Sequence, residues 1–173
     1  NFANTQKDIQ AAFEFLHQSE NVRKYKVDTT GIYLGGWSYG GGMALTFAVN
    51  HPEITAVFSI AGTDHGEFMR EYLRNPEMQK VIDEMFASLP APTGPVKFAE
   101  GSTLKEIAAA GIEKMDPTLY LKESAPLLAQ KDILLIGGWN DVQVIIEQHL
   151  LPLYRALQEE KAENIKVVAL QDD

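Results

Sequence analysis

Ser38 stands in Gly36-Trp37-Ser38-Tyr39-Gly40, with a glycine two residues to either side. The apolar run Gly31-Ile32-Tyr33-Leu34-Gly35 precedes it and Met43-Ala44-Leu45-Thr46-Phe47-Ala48-Val49 follows, so the stretch reads as strand, tight turn and helix. A serine hydroxyl is a weak nucleophile until a neighbouring base takes its proton and a third group orients that base. The glycines fit this setting, because β-carbons at both positions are expected to collide where strand and helix cross. The competing use of a serine in a glycine-rich turn is phosphate binding. No lysine follows as a P-loop requires, and the spacing does not fit Gly-X-Gly-X-X-Gly. The four histidines are His17, His51, His65 and His149. Only His65 follows a strand end; the others fall late in the opening helix, at a helix stop and inside a later helix, positions of surface or packing residues. There is no cysteine, hence no thiol nucleophile, thiolate metal site or disulfide. No histidine and carboxylate cluster has metal-ligand spacing, and no cofactor is implied.

The elements that must position Ser38 are legible from periodicity. Ile9, Ala12, Phe13 and Leu16 recur at helical spacing, with Thr5 expected as the cap and Asp8 three residues on. Residues 20–30 read as a polar connection. After the turn, a helix opens in Gly40, Gly41 and Gly42 and stops at Asn50-His51-Pro52. Residues 54–61 form a second strand, closed by Gly62. Residues 63–131 read as a helical insertion: pieces over 67–73 and 76–86, a Pro/Gly-rich connection over 89–95, a helix over 103–110, and another opened by Asp116-Pro117. Met69, Met78 and Met85 in it are expected to pack rather than to bind a cofactor. A third strand runs over 131–138. A helix over 142–157 is expected to kink at Pro152, and a fourth strand covers 164–171. Strands alternating with helices predict an α/β fold with a mainly parallel sheet of about four strands, reactive groups lying past the carboxyl ends of the strands. Those positions are Ser38, then Gly62-Thr63-Asp64-His65, then Trp139-Asn140-Asp141, then Asp172-Asp173.

A chain of 173 residues with 45% hydrophobic and 23% charged residues suits one soluble globular domain. The net charge of −9 argues against a nucleic-acid or anionic-membrane partner, which clustered Lys and Arg would serve. No apolar run is long enough to span a membrane, and residues 1–8 lack the pattern of a signal peptide; the compartment stays open.

With Gly36-Trp37-Ser38-Tyr39-Gly40-Gly41 after the first strand and Ile136-Gly137-Gly138-Trp139-Asn140-Asp141 after the third, the chain resembles the α/β-hydrolases of the dienelactone hydrolase, acyl esterase and prolyl-oligopeptidase-like group. The resemblance implies that Ser38 is the nucleophile, Asp141 the triad carboxylate and the Tyr39 backbone N–H an oxyanion donor. Trp37 and Trp139 are candidates to line the pocket, while Asp64 is the runner-up carboxylate and His65 the runner-up histidine. In the family the triad histidine follows the last strand, and several strands precede the nucleophile. The 173 residues therefore resemble the C-terminal half to two-thirds of a partial α/β-hydrolase domain, with 63–131 as a cap within it. The resemblance implies a serine hydrolase acting on an ester, lactone or peptide acyl bond, with these residues alone inactive and inclined to self-associate through an exposed sheet edge. The alternative is a non-catalytic α/β-hydrolase-like binding or scaffold protein.

Overall fold

Four strands, β1 (Tyr33–Trp37), β2 (Ala56–Ile60), β3 (Asp132–Gly138) and β4 (Ile165–Leu170), form one parallel sheet in the order β1-β2-β3-β4 in the computed structural model, which describes residues 2–88 and 103–171. The register pairs Tyr33 with Ala56, Ala56 with Asp132, and Ile133 with Ile165. All four strands fall within two residues of the expected bounds. β1 is shifted by two residues at both ends and reaches Trp37, because Asp28 draws 28–31 into a turn: its carboxylate accepts from Thr30 N–H and Oγ1–H, and Gly31 N–H donates to its carbonyl.

The helices are α1 (Phe2–His17), α2 (Ser19–Tyr25), α3 (Tyr39–Asn50), α4 (His65–Arg74), α5 (Pro76–Ser88), α6 (Leu104–Ile112), α7 (Ala125–Leu128) and α8 (Leu150–Glu159), with a 3₁₀ turn at Pro117–Leu119. Four expectations need correction. α1 begins before Thr5, whose hydroxyl reaches the Tyr39 hydroxyl at 2.9 Å instead of capping. The polar stretch 20–30 carries most of α2, seated by buried Asn21, whose amide donates to Phe15 O and Gln18 Oε1. Asp116-Pro117 opens only the short 3₁₀ turn. Residues 142–149 form turns, so Pro152 lies in the first turn of α8, where the missing N–H has no intrahelical acceptor to lose and produces no kink. The Pro/Gly-rich connection over 89–95 lies outside the described residues, as do Asp172 and Asp173.

α3 is buried from Gly41 to Val49 because it lies against the sheet. α3 covers β1 and β2, α8 covers β3 and β4, and Leu34, Val57, Ile133, Leu135 and Val167 of the sheet share one core with them and with α7. Among the described residues nothing covers the opposite face: Tyr33 is 71% exposed, Trp37 73% and Phe58 40%, and Trp37, Ile60, Ile136 and Val168 form one row across all four strands. The Phe58 ring lies over Gly35, where a β-carbon would come within 2.1 Å of it.

Within the stretch between β2 and β3, α4, α5 and α6 share a second small core of Tyr72, Ile82, Leu104 and Ala108, which Met69, Met78 and Met85 help to fill. Thr103 and Glu106 close α6 with a reciprocal capping box. The return segment belongs to the main core through Leu121, Ala125 and Leu128. Buried Asp64 joins the two. Its carboxylate accepts Glu67 N–H at the start of α4 and the Leu121 and Lys122 N–H groups of the return segment.

Candidate active site

Ser38 links β1 directly to α3 with φ 52° and ψ −122°, backbone space that an L-residue occupies at a cost of order 1–3 kcal/mol and that persists only where surroundings enforce it. The surroundings do. Ser38 N–H donates to Ile60 O at 2.8 Å, and Ser38 O accepts from Gly41, Gly42 and Thr63 N–H at 3.0, 3.2 and 3.3 Å. The chain around the end of β2 thus holds the peptide units on both sides of Ser38. At the head of α3 the Tyr39 and Gly40 N–H groups come too early for an intrahelical acceptor, so they can serve an incoming oxyanion.

The glycines around Ser38 play different parts. A β-carbon on Gly36 would sit 2.4 Å from the Gly40 carbonyl carbon and oxygen, on Gly41 2.7 Å from Ser59 Oγ, and on Gly42 2.0 Å from Thr63 O. Gly40 faces open space and has an unstrained φ, which corrects the expectation that both flanking glycines are there for steric reasons. Gly36→Ala is therefore expected to cost about 3 kcal/mol from backbone overlap. Gly40→Ala should be neutral or stabilise by up to about 1 kcal/mol, since it replaces glycine in a helix. Denaturant midpoints of the two variants check the contrast.

Asp64 and His65 follow β2, as expected, and both face inward. With three backbone N–H groups on its carboxylate and capping α4, Asp64 has a structural task. Burial raises its pKa, and the three hydrogen bonds oppose that rise. His65 Nε2–H donates to Tyr39 O at 3.1 Å, and its ring packs on Tyr39 and Phe2 at centroid distances of 4.7 and 4.9 Å. Burial pushes its pKa down to about 4, so the imidazole is neutral at pH 7. It braces the first turn of α3 from beneath.

Asp141 lies in the turn after β3, half-buried, with Oδ1 accepting Gln143 and Val144 N–H at 2.9 and 2.8 Å. Oδ2 makes no bond among the described residues. Trp139 N–H donates to Leu170 O, and the Asn140 amide to Gln171 O, tying this turn to the end of β4. Ser38 and Asp141 flank β2, two strand spacings apart, on the order of 10 Å between backbones. That gap is too wide for a direct hydrogen bond and suits an imidazole bonded at each end.

None of the four histidines fills it. His17 bonds Phe13 O and His51 bonds Glu53. His65 is engaged with Tyr39 O. His149 is buried at the start of α8, its ring nitrogens unpartnered among the described residues and its pKa lowered to about 4 by burial, with Asp141 acting in the opposite sense. Trp37 leaves the sheet on the uncovered face, away from α3, and Trp139 is half-exposed at the end of β3. Sequence reading missed the support of Ser38 by Ile60 and Thr63 and the packing of Phe2, Tyr39 and His65, since no local pattern encodes contacts made by chain returning from elsewhere. Among the described residues no group of His, Asp and Glu is placed to hold a metal ion.

The fold recurs in solved structures. An acylaminoacyl peptidase from Pyrococcus horikoshii superposes with a TM-score of 0.64 at 15% identity, over 97% of this chain and 23% of that one. For a sugar hydrolase from Lactococcus lactis the values are 0.59, 11%, 99% and 54%. For the esterase domain of a Rhodothermus marinus protein they are 0.55, 21%, 99% and 57%. The chain thus spans from under a quarter to just over half the length of these structures. Among curated proteins there is no match. At these identities the likeness establishes the α/β-hydrolase-like fold. A family model matches residues 9–172, and on that match the chain belongs to the family described as BAAT / acyl-CoA thioester hydrolase C terminal.

Proposed function

We propose that Ser38 is the nucleophile of a serine hydrolase that cleaves an activated acyl bond, with Asp141 as the carboxylate that orients the general base and the Tyr39 N–H as one oxyanion donor. The observation that carries the reading is the enforced positive φ of Ser38 at a strand-to-helix turn. The family description favours a thioester, and the esterase and peptidase among the structural neighbours add esters and peptides as candidates. Attack of Ser38 Oγ on the carbonyl carbon passes the hydroxyl proton to an imidazole between Ser38 and Asp141. The leaving thiol, alcohol or amine takes that proton, and water then hydrolyses the acyl-serine by the same route.

Because the four histidines of the chain are engaged or buried elsewhere, the base in this reading comes from outside the 173 residues, and the chain alone is inactive. Treatment with a fluorophosphonate, followed by peptide mapping, tests both points. The 173-residue chain is expected to label at Ser38 far more slowly than a longer form of the protein that supplies the imidazole. Labelling of the short chain as fast as an intact serine hydrolase would refute the outside base. A longer form inert to fluorophosphonate and to acyl thioesters, esters and peptide anilides would leave the binding or scaffold reading.

The uncovered sheet face and the β1 edge are the surfaces through which the chain would associate with itself. Light scattering should show mass rising with concentration, reduced by Trp37→Lys. A constant monomer mass would count against it.

A further inference from the structure

We propose that one water molecule occupies the space between the carboxyl ends of β2 and β3 and the start of α8, bound by the imidazole of His149 and the hydroxyl of Ser59. His149 is 3% exposed, and neither ring nitrogen has a partner among the described residues. A neutral imidazole carries one donor and one acceptor, and buried polar groups in folded chains are nearly always paired. His149 lines a small cavity together with Ser59, Ala61, Gly62 and Gly137, and the rest of its wall is apolar, Leu121, Leu135, Ile146 and Leu150 among it. With a volume of about 10 Å³, that cavity has room for a single water. Ser59, 2% exposed, supplies the second polar partner; a β-carbon on Gly62 would come within 1.8 Å of its Oγ, so Gly62 leaves room for that hydroxyl.

The location gives the water a task. The segment over it, 59–63, includes Ala61 at φ 45°, the Ile60 carbonyl that receives Ser38 N–H and the Thr63 N–H that holds Ser38 O. A water bonded to His149, just before α8, and to Ser59 on β2 ties the support of the Ser38 turn to the element that follows the Asp141 turn. Nothing in this depends on whether Ser38 reacts.

A high-resolution crystal structure of the chain, with oxygen-17 relaxation dispersion on the wild type and His149→Leu, tests the proposal. The expected results are a density peak within hydrogen-bond reach of a His149 ring nitrogen, loss of one long-lived internal water in the variant, and a melting temperature lowered by roughly 2–4 °C. A dry cavity, or an imidazole turned to a protein partner, overturns it. So does a variant that melts higher with an unchanged dispersion, because removing an unpaired buried imidazole relieves its desolvation. Should His149→Leu fail to fold, the wild-type density alone decides.

Discussion

Ser38→Gly is expected to stabilise the chain by about 1 kcal/mol while abolishing labelling by a fluorophosphonate. The strain at φ 52° and ψ −122° is of order 1–3 kcal/mol for a residue with a β-carbon and is absent for glycine. Against that stands glycine's larger loss of conformational freedom on folding, roughly 0.5–1 kcal/mol, leaving a modest gain and a melting temperature roughly 2–4 °C higher. Ser38→Ala separates the two contributions, since alanine removes the hydroxyl and keeps the β-carbon. It should lose labelling without the gain in stability. In a form of the protein that carries the general base, either change is expected to lower kcat by about 10⁶, the scale on which removal of a triad serine acts. A Ser38→Gly variant less stable than Ser38→Ala would mean that the turn is not strained in solution and would remove the observation on which the functional reading rests.

The same turn shows how far residues announce their own geometry. Strands β2, β3 and β4 were legible because a buried parallel strand is a short continuous apolar run, and Gly62 and the glycines at 137 and 138 punctuate such runs. The turn was legible because its steric demand falls on local neighbours: Gly36 touches Gly40 and Gly41, a few residues away. Gly40 looked equivalent in sequence, yet its open surroundings depend on what lies above the helix start, which no spacing records. α2 was hidden because its stability rests on a single buried side chain, Asn21, bonded back to α1. The reach of α1 beyond Thr5 was hidden for a similar reason, since that hydroxyl is used 34 positions away on Tyr39. Asp64 has the clearest lesson. Past a strand end, a carboxylate followed by a histidine reads as chemistry, but three N–H groups from two segments make it a junction, and two of those donors come from Leu121 and Lys122. Sequence therefore located the strand ends at which polar groups stand and left open which of them are occupied by the fold itself.

Acid should unfold this chain early, because its two buried imidazoles resist protonation. His65 and His149 have pKa values lowered from 6.5 to about 4, chiefly by burial. For His65 the Tyr39 carbonyl works the other way and His149 adds to the lowering, while for His149 Asp141 opposes it. Above pH 6.5 both rings are neutral folded or unfolded, and the stability is fully present. As pH falls from 6.5 toward 4 the unfolded chain takes up protons that the native chain does not. Each histidine then removes about 1.4 kcal/mol per pH unit, reaching on the order of 3 kcal/mol near pH 4. Together the two reach the scale of a whole domain's stability of roughly 5–15 kcal/mol. Asp64 acts in the opposite sense, since its raised pKa favours protonation in the native state, and this offsets part of the loss at the acid end of the range. Urea midpoints should be level above about pH 7 and fall below about pH 6.5, with a slope approaching that of two protons by about pH 5. His65→Gln, which keeps an N–H for Tyr39 O, should halve the slope while largely preserving the Ser38 turn. A slope unchanged in that variant would place His65 in contact with water and remove it as the brace beneath α3.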